Sequence, residues 1–129
     1  METISVAYIL HKEGSILALK RSENKKSNPG KWHVLSGHVE EGETPLACIH
    51  REAQEELGTK FSMKVQSSTE YLDIQEDGQW KTHIFIMRCI NDQIVLNDEN
   101  SDYTWVSLNE LLKLDIIPSI QEDLKHINI

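Results

Sequence analysis

The segment GHVEEGETPLACIHREAQEELGT, residues 37–59, carries the clearest helix signal in the chain. Thr44 is a favoured N-cap residue, and Pro45 follows at the first helical position, where its missing N–H costs nothing. Apolar residues then recur at spacings of three and four, at Leu46, Ile49, Ala53 and Leu57. Gly58 stands where a glycine commonly ends a helix. The pattern predicts a helix over Pro45–Leu57 with one apolar face directed at a core.

The same helix concentrates negative charge, because Glu52, Glu55 and Glu56 lie within five positions. At about 100° per residue they form one strip beside the apolar face. Like charges at these spacings repel each other by a few tenths of a kcal/mol, and the negative end of the helix dipole disfavours them further. One interpretation is a solvated acidic face balanced by Arg51. The other, which we favour because one arginine faces three carboxylates, is a hard divalent cation such as Mg²⁺.

The composition of the whole chain limits its class. Its 129 residues suffice for one domain with a proper core. The 13 basic and 21 acidic residues give a formal charge of −8, which disfavours binding to nucleic-acid polymers. No apolar run is long enough to span a membrane, and the first residues are typical of a strand rather than a signal peptide. With Cys48 and Cys89 expected to be reduced thiols, the sequence predicts a cytoplasmic protein.

Strand patterns precede the helix. Residues 3–11 and 15–21 are β-rich runs joined by Lys-Glu-Gly, a hairpin signal. The polar segment SENKKSNPGK, residues 22–31, predicts a surface loop. WHVLS, residues 32–36, then predicts one short strand that ends at Gly37.

Two long strand-like runs follow the helix, KFSMKVQSSTEYLDI and WKTHIFIMRCI. The Asp77-Gly78 pair between them is typical of a hairpin turn. TWVSLNELLKL predicts a strand that passes into a helix capped by Ser107, and an amphipathic segment covers residues 118–127. This order of elements indicates one mixed α/β layered domain.

The helix and its preceding loop together resemble the Nudix box, G-x5-E-x7-R-E-U-x-E-E-x-G-U, where U is a bulky aliphatic residue. All seven fixed identities are present, at Gly37, Glu43, Arg51, Glu52, Glu55, Glu56 and Gly58. The chain departs from the pattern at Thr59, which is polar where an aliphatic residue is typical, and Ala53 is small for its position. Ser36 stands where many members have a first glycine. The departure at Thr59 affects the packing of the helix end rather than the chemistry, and alanine is common at the position of Ala53.

The resemblance covers most of the chain, since ILALKR before Pro-Gly-Lys-Trp and DENSDYTWVSLNELLKL are similar to regions of MutT-like members. It implies a Nudix-type α/β/α sandwich with a mixed central β-sheet. It also implies that residues 1–129 form a single Nudix hydrolase domain.

Membership would imply hydrolysis of a nucleoside diphosphate linked to another group X, with Mg²⁺ or Mn²⁺. Glu52, Glu55 and Glu56 would hold the cations, with the carbonyl of Gly37 as a further ligand. The general base is left open between Glu55 and Glu99, and Glu99 could equally be a solvated loop acid.

Residues around these glutamates have weaker signals. Glu43 and Arg51 are expected to brace the box by pairing with each other rather than to touch substrate. Arg21 matches a position where the family often has an arginine that binds phosphate, and Lys31 is a weaker candidate in the loop. Trp32 is a candidate for stacking on a base, with core packing as its alternative.

The favoured activity is that of a (deoxy)nucleoside triphosphate pyrophosphohydrolase releasing a monophosphate and pyrophosphate. The alternatives are a nucleotide-sugar or dinucleoside-polyphosphate hydrolase and, less favoured because the box is complete, a nucleotide-sensing module without turnover. The expected partner is a small nucleotide, and a homodimer is left open. The base, the sugar and the group X have no signal in the sequence.

Overall fold

The computed structural model describes residues 2–11, 13–75 and 78–129, and three helices and seven strands lie within them. The strands are β1 (Glu2–Leu10), β2 (Ile16–Arg21), β3 (Trp32–His33), β4 (Leu35–His38), β5 (Ser62–Gln75), β6 (Gly78–Asn91) and β7 (Asn100–Val106). The helices are α1 (Pro45–Leu57), α2 (Leu108–Lys113) and α3 (Pro118–Leu124). None of the helices in these described ranges is long and apolar enough to cross a membrane.

All seven described strands belong to one mixed sheet, whose main order is β3-β2-β1-β6-β5. Strands β1 and β6 are parallel, whereas the other pairs are antiparallel. Strand β4 pairs with the first half of β1, and β7 pairs with β2. The mixed sheet predicted from the sequence is therefore confirmed.

The sheet separates two hydrophobic cores. Successive residues of a strand point to opposite faces, so Ala7 and Ile9 of β1 join the core under α1, while Val6 and Tyr8 join the core under α2 and α3. Helix α1 contributes Ile49, Ala53 and Leu57 to the first core, and the C-terminal helices contribute Leu111 and Ile120 to the second. Helices on both faces confirm the predicted α/β/α sandwich.

Helix α1 begins and ends at the predicted residues. The hydroxyl of Thr44 accepts a hydrogen bond from the N–H of Ala47 at 3.1 Å, which satisfies one free donor of the first turn. Gly58 follows the helix with φ of 90°, a conformation that favours glycine. The predicted cap of α2 is also present, since Ser107 accepts from the N–H of Glu110.

The segment WHVLS differs from its prediction as one strand ending at Gly37. It forms two strands, because the chain changes partner at Val34: β3 pairs with β2, and β4 pairs with β1 and extends to His38. The predicted turn at Asp77 and the first residue of Lys-Glu-Gly, Lys12, lie outside the described residues. Both cysteines are free thiols, as predicted.

A buried acid joins α3 to the sheet. Asp123 is 3% exposed, and its Oδ1 accepts a hydrogen bond from the hydroxyl of Tyr71 at 2.6 Å. The pKa of Asp123 is raised from 3.8 to about 6, mainly by burial. The bond from Tyr71 and the nearby His126 oppose this shift, and the charges of Glu122 and Asp73 add to it. The fold therefore favours the protonated carboxyl group.

The variant Asp123→Asn should consequently gain stability over the wild type as the pH rises. A carboxyl whose pKa is higher in the folded state binds its proton more tightly there, so its contribution to stability falls as the pH rises from about 4 to 6. The asparagine oxygen still accepts from Tyr71 and has no proton to lose. Two pKa units correspond to roughly 3 kcal/mol, an upper limit for the gain at pH 7.

Urea unfolding of both proteins at several pH values between 4 and 7 measures this difference. Glu41→Gln removes an exposed carboxylate that is not among the charges shifting the pKa of Asp123, so it is the control and should leave the pH dependence nearly unchanged. Parallel stability curves for the wild type and Asp123→Asn would contradict the expected role of the buried acid.

Candidate active site

The glutamates of α1 meet strand β4 at Gly37. A Cβ atom placed on Gly37 would lie 2.5 Å from Oε1 and 2.6 Å from Cδ and Cγ of Glu52. Real side chains do not approach this closely, so only glycine lets the strand and the helix come together here. Gly37 also pairs with Ser5 in β1, which fixes its position in the sheet.

Arg51 is surrounded by carboxylates. Its Nε and one terminal nitrogen reach the two oxygens of Glu43 at 2.8 and 3.1 Å, a bidentate arrangement. Its other terminal nitrogen lies 3.0 Å from Glu52 and 3.5 Å from Glu55, while the terminal nitrogen bonded to Glu43 is also 3.7 Å from Glu40. The pKa of Glu43 is lowered to about 2, mainly by the hydrogen bond from Arg51. Arg51 therefore links the loop before α1 to the acidic strip, and the pairing expected of Glu43 and Arg51 is present.

The three glutamates of the strip differ in exposure. The side chain of Glu55 is 52% exposed and that of Glu52 is 15% exposed, whereas Glu56 is buried at 3%. The carboxyl groups of Glu52 and Glu56 share a hydrogen bond. Burial, aided by the charges of Glu99 and Glu52, raises the pKa of Glu56 to about 8, and burial likewise raises the pKa of Glu52. Two carboxylates this close need a proton or a cation between them.

Glu56 also contacts a buried polar pair that the sequence analysis did not identify as part of the site. Asn100, 3% exposed, donates from Nδ2 to Oε1 of Glu56 at 2.8 Å. The Oδ1 atom of Asn100 lies 2.7 Å from Nε2 of His33, which is 5% exposed. In the sequence, Asn100 is only a polar residue at the start of a strand. Nothing in that pattern indicates that its partner is Glu56, 44 positions earlier.

Glu99 lies next to Asn100, at the edge of the same site. Its charge raises the pKa of both Glu56 and His33, so it is close to each of them. Its backbone is fixed on both sides: the N–H of Glu99 donates to Asn97, and its carbonyl accepts from the N–H of Ser22 at 3.0 Å. The structure thus brings both candidate bases, Glu55 and Glu99, to the region of Glu56.

Arg21 and Lys31 bind other groups. The guanidinium of Arg21 donates to the carbonyl and hydroxyl oxygens of Ser27 in the 22–31 loop, at 2.9 and 3.3 Å, and its charge lowers the pKa of His33 after the larger effect of burial. Lys31 forms an ion pair of 2.9 Å with Asp115. Arg21 therefore lies beside the acidic site, while Lys31 is held before α3.

Trp32 and Trp105 pack against opposite cores. Trp32 is partly buried against the core under α2 and α3, whereas His33, its neighbour in β3, faces the α1 side. The structure therefore does not bring Trp32 together with the glutamates. Trp105 packs against the core under α1, and its ring lies 5.1 Å from that of His11.

A cavity of about 390 Å³ opens on the face of the sheet opposite to α1. Its wall includes Ser36 of β4, which directly precedes Gly37 in the chain. Aromatic and acidic side chains form other parts of the wall, among them Tyr71, Trp80 and Asp123. The cavity therefore begins one residue from the acidic site and is lined by both ring faces and hydrogen-bonding groups.

A model of the NUDIX domain matches residues 1–125. The chain belongs to the Nudix family. The nucleoside triphosphatase NudI of Escherichia coli K12 is 26% identical over 93% of this chain and 92% of its own length. The crystal structure of a MutT protein from Methanosarcina mazei Go1 is 25% identical, with a TM-score of 0.70 over 97% of this chain and 90% of that one. With a complete Nudix box, the protein is a Nudix pyrophosphohydrolase.

Another solved Nudix neighbour has lower sequence identity. The Ap4A hydrolase of C. elegans, in a binary complex, is 18% identical with a TM-score of 0.72, covering 97% of this chain and 93% of that chain. At this identity the likeness concerns the fold alone. It agrees with the sandwich described above.

Nudix hydrolases generally use divalent metal ions, so the acidic site can be tested for its fit to one. Across the described ranges, no three carboxylate, imidazole or thiolate side chains converge closely enough to ligate one ion in the conformations observed. The donor chemistry still suits a hard cation, because the carboxyl groups of Glu52 and Glu56 are within hydrogen-bonding reach of each other and Glu52 lies against Gly37. Glu55 is half exposed and has room to turn toward them. The residues therefore fit a divalent metal ion.

Proposed function

We propose that the protein is a Mg²⁺-dependent (deoxy)nucleoside triphosphate pyrophosphohydrolase that releases a nucleoside monophosphate and pyrophosphate. The observation that carries the proposal is the pair of carboxyl groups of Glu52 and Glu56, pressed together beside Gly37 within a complete Nudix box. A divalent cation would replace the shared proton, and a polyphosphate would supply its remaining oxygen ligands. Mn²⁺ has the same preference for oxygen ligands and can serve as a substitute.

The roles of the residues follow from their positions. Glu52, Glu55 and Glu56, with the carbonyl of Gly37, would hold the metal, which neutralises phosphate charge and lowers the pKa of a bound water when present. Glu55 or Glu99 would accept the proton of the attacking water. Glu43 and Arg51 would hold the acidic strip in place through the bidentate pair.

Groups outside the acidic strip would bind the rest of the substrate. Arg21 lies beside His33 at the edge of the site, and its guanidinium suits a phosphate once it leaves Ser27. Lys31, in the neighbouring loop, and Trp32, at the start of β3, remain predicted contacts of the substrate. The cavity that begins at Ser36 has ring faces and polar groups suited to a nucleoside. We propose that the nucleoside enters this cavity while the phosphates stay at the glutamates.

Triphosphates are favoured over the other substrate classes by the relatives. NudI of Escherichia coli K12, which aligns with this chain over 92% of its own length, is a nucleoside triphosphatase. A dinucleoside polyphosphate is the second candidate, since a structural neighbour is an Ap4A hydrolase. Nucleotide sugars remain an alternative that no observation favours, and a sensing module without turnover would be expected to lack some of the glutamates retained here.

A substrate panel tests the proposal. The purified chain should release pyrophosphate in the presence of Mg²⁺ from at least one normal or oxidised nucleoside triphosphate, and more slowly from nucleotide sugars and dinucleoside polyphosphates. Inorganic tripolyphosphate, which has no nucleoside, should be a poor substrate if the cavity contributes to binding. Release of orthophosphate alone, or turnover restricted to another class, would overturn the proposed triphosphate reaction. Chelation of the metal should abolish all turnover.

A further inference from the structure

The buried pair of Asn100 and His33 connects three elements that are distant in sequence. Asn100 is the first residue of β7, His33 ends β3, and Glu56 lies in the last turn of α1. All three side chains are at most 5% exposed. Both strands pair with β2, where His33 lies opposite Leu19 and Asn100 opposite Arg21. The sheet therefore sets the backbone positions of His33 and Asn100. The packing of α1 against the sheet then brings Glu56 within hydrogen-bond distance of Asn100.

The direction of the two hydrogen bonds is determined by chemistry. The amide nitrogen of Asn100 can only donate, so Oε1 of Glu56 accepts from it whether the carboxyl group is ionised or carries a proton on its other oxygen. The amide oxygen of Asn100 then points to His33 and can only accept. His33 must consequently carry its proton on Nε2 and donate it. Each group in the chain from His33 to Asn100 to Glu56 has one orientation.

This chain of bonds restricts how Glu56 can present its oxygens. A glutamate with both oxygens free would rotate about its last torsion angle, which has a broad, roughly two-fold preference. The 2.8 Å bond from Asn100 holds Oε1 and leaves Oε2 as the oxygen free of that bond. Groups around a metal ligand that fix its orientation commonly change metal affinity by 10- to 100-fold when they are removed.

We infer that Asn100 is a positioning residue that orients Glu56 for the metal, and that His33 acts by orienting Asn100. The inference rests on the proposed role of Glu56 as a metal ligand. It assigns functions to two residues outside the Nudix box and gives a physical reason for a histidine and an asparagine in a buried site. His33 has no direct bond to Glu56 in this arrangement, so its effect on the metal must pass through Asn100.

Binding of Mn²⁺, followed by electron paramagnetic resonance of the free ion without substrate, tests the inference. Asn100→Leu should weaken Mn²⁺ binding by about 10- to 100-fold. His33→Phe should weaken it less, and His33→Gln, which keeps a donor, should restore part of the affinity lost in His33→Phe. The double variant His33→Phe/Asn100→Leu should bind no more weakly than Asn100→Leu alone, because His33 acts through Asn100.

Thermal unfolding of each variant separates positioning from general destabilisation. Asn91→Leu is the matched control: it removes an exposed amide whose Oδ1 accepts from the backbone N–H of Gln93, and it should leave Mn²⁺ binding unchanged. If Asn100→Leu does not fold, the comparison of His33→Phe with His33→Gln still decides. Normal Mn²⁺ affinity in folded Asn100→Leu, or equal affinities of the two His33 variants, would overturn the inference. Failure of the wild type to bind Mn²⁺ would instead contradict the proposed metal site.

Discussion

Glu55→Gln should lower kcat for the preferred nucleotide by roughly 10²- to 10⁴-fold, the range expected for loss of a general base. The amide has nearly the shape of the carboxylate but can neither accept the proton of water nor offer a negative charge to a cation. Glu55 is 52% exposed, and its contact with Arg51 is 3.5 Å long. An exposed ion pair of this kind contributes at most about 1 kcal/mol, so the variant should fold normally.

The same variant distinguishes the two roles open to Glu55. If Glu55 is the base, kcat falls while Mn²⁺ affinity stays near that of the wild type; if it is a ligand, affinity falls as well. Glu99→Gln should be measured beside it, because Glu99 is the other candidate base and its charge raises the pKa of Glu56. Glu41→Gln, an exposed change in the loop before α1, is the control and should retain full activity. Full activity in both Glu55→Gln and Glu99→Gln would exclude these two residues as the base.

The parts of the fold predicted correctly depend on local signals. Thr44, Pro45 and Gly58 define the ends of α1 by backbone rules that operate within one turn, and the structure follows them. The Nudix box is a local pattern as well, so the family could be identified from a single helix and its loop. By contrast, WHVLS is divided at Val34 because its first part pairs with β2 and its second part pairs with β1. No residue within the segment indicates this change of partner.

The composition of the site was harder to predict for the same reason. The sequence placed Glu52, Glu55 and Glu56 on one strip, but their exposures range from 52% for the side chain of Glu55 to 3% for Glu56. That difference arises from β7, which returns to the sheet beside β2 and brings Asn100 over the end of α1. The partner of His33 depends on the same long-range pairing. Helical periodicity predicts which residues share a face of α1, but it cannot predict which of them another strand will bury.

Gly37→Ala should lower kcat by about 10²-fold and weaken Mn²⁺ binding, although it adds one methyl group. The new Cβ would lie within 2.6 Å of three atoms of Glu52, including Cγ. Because Cγ is close to the helix backbone, the whole side chain of Glu52 must turn away rather than bend at its tip. That movement breaks the 3.0 Å contact with Arg51 and the hydrogen bond shared with Glu56. The two carboxyl groups would no longer share one ion.

The backbone of Gly37 makes this prediction specific to the site. Its φ lies outside the left-handed region, so alanine adds no backbone strain, and the pairing of β4 with β1 can persist. Gly14→Ala is the opposite control: φ there is 86°, and no atom lies within 4 Å of the added carbon. It should lose about 1 kcal/mol of stability with normal kcat. Steady-state kinetics, Mn²⁺ titration and thermal unfolding of both variants separate the two effects. If Gly37→Ala retained wild-type kcat and Mn²⁺ affinity, the close approach of Glu52 to this strand would have no part in metal binding.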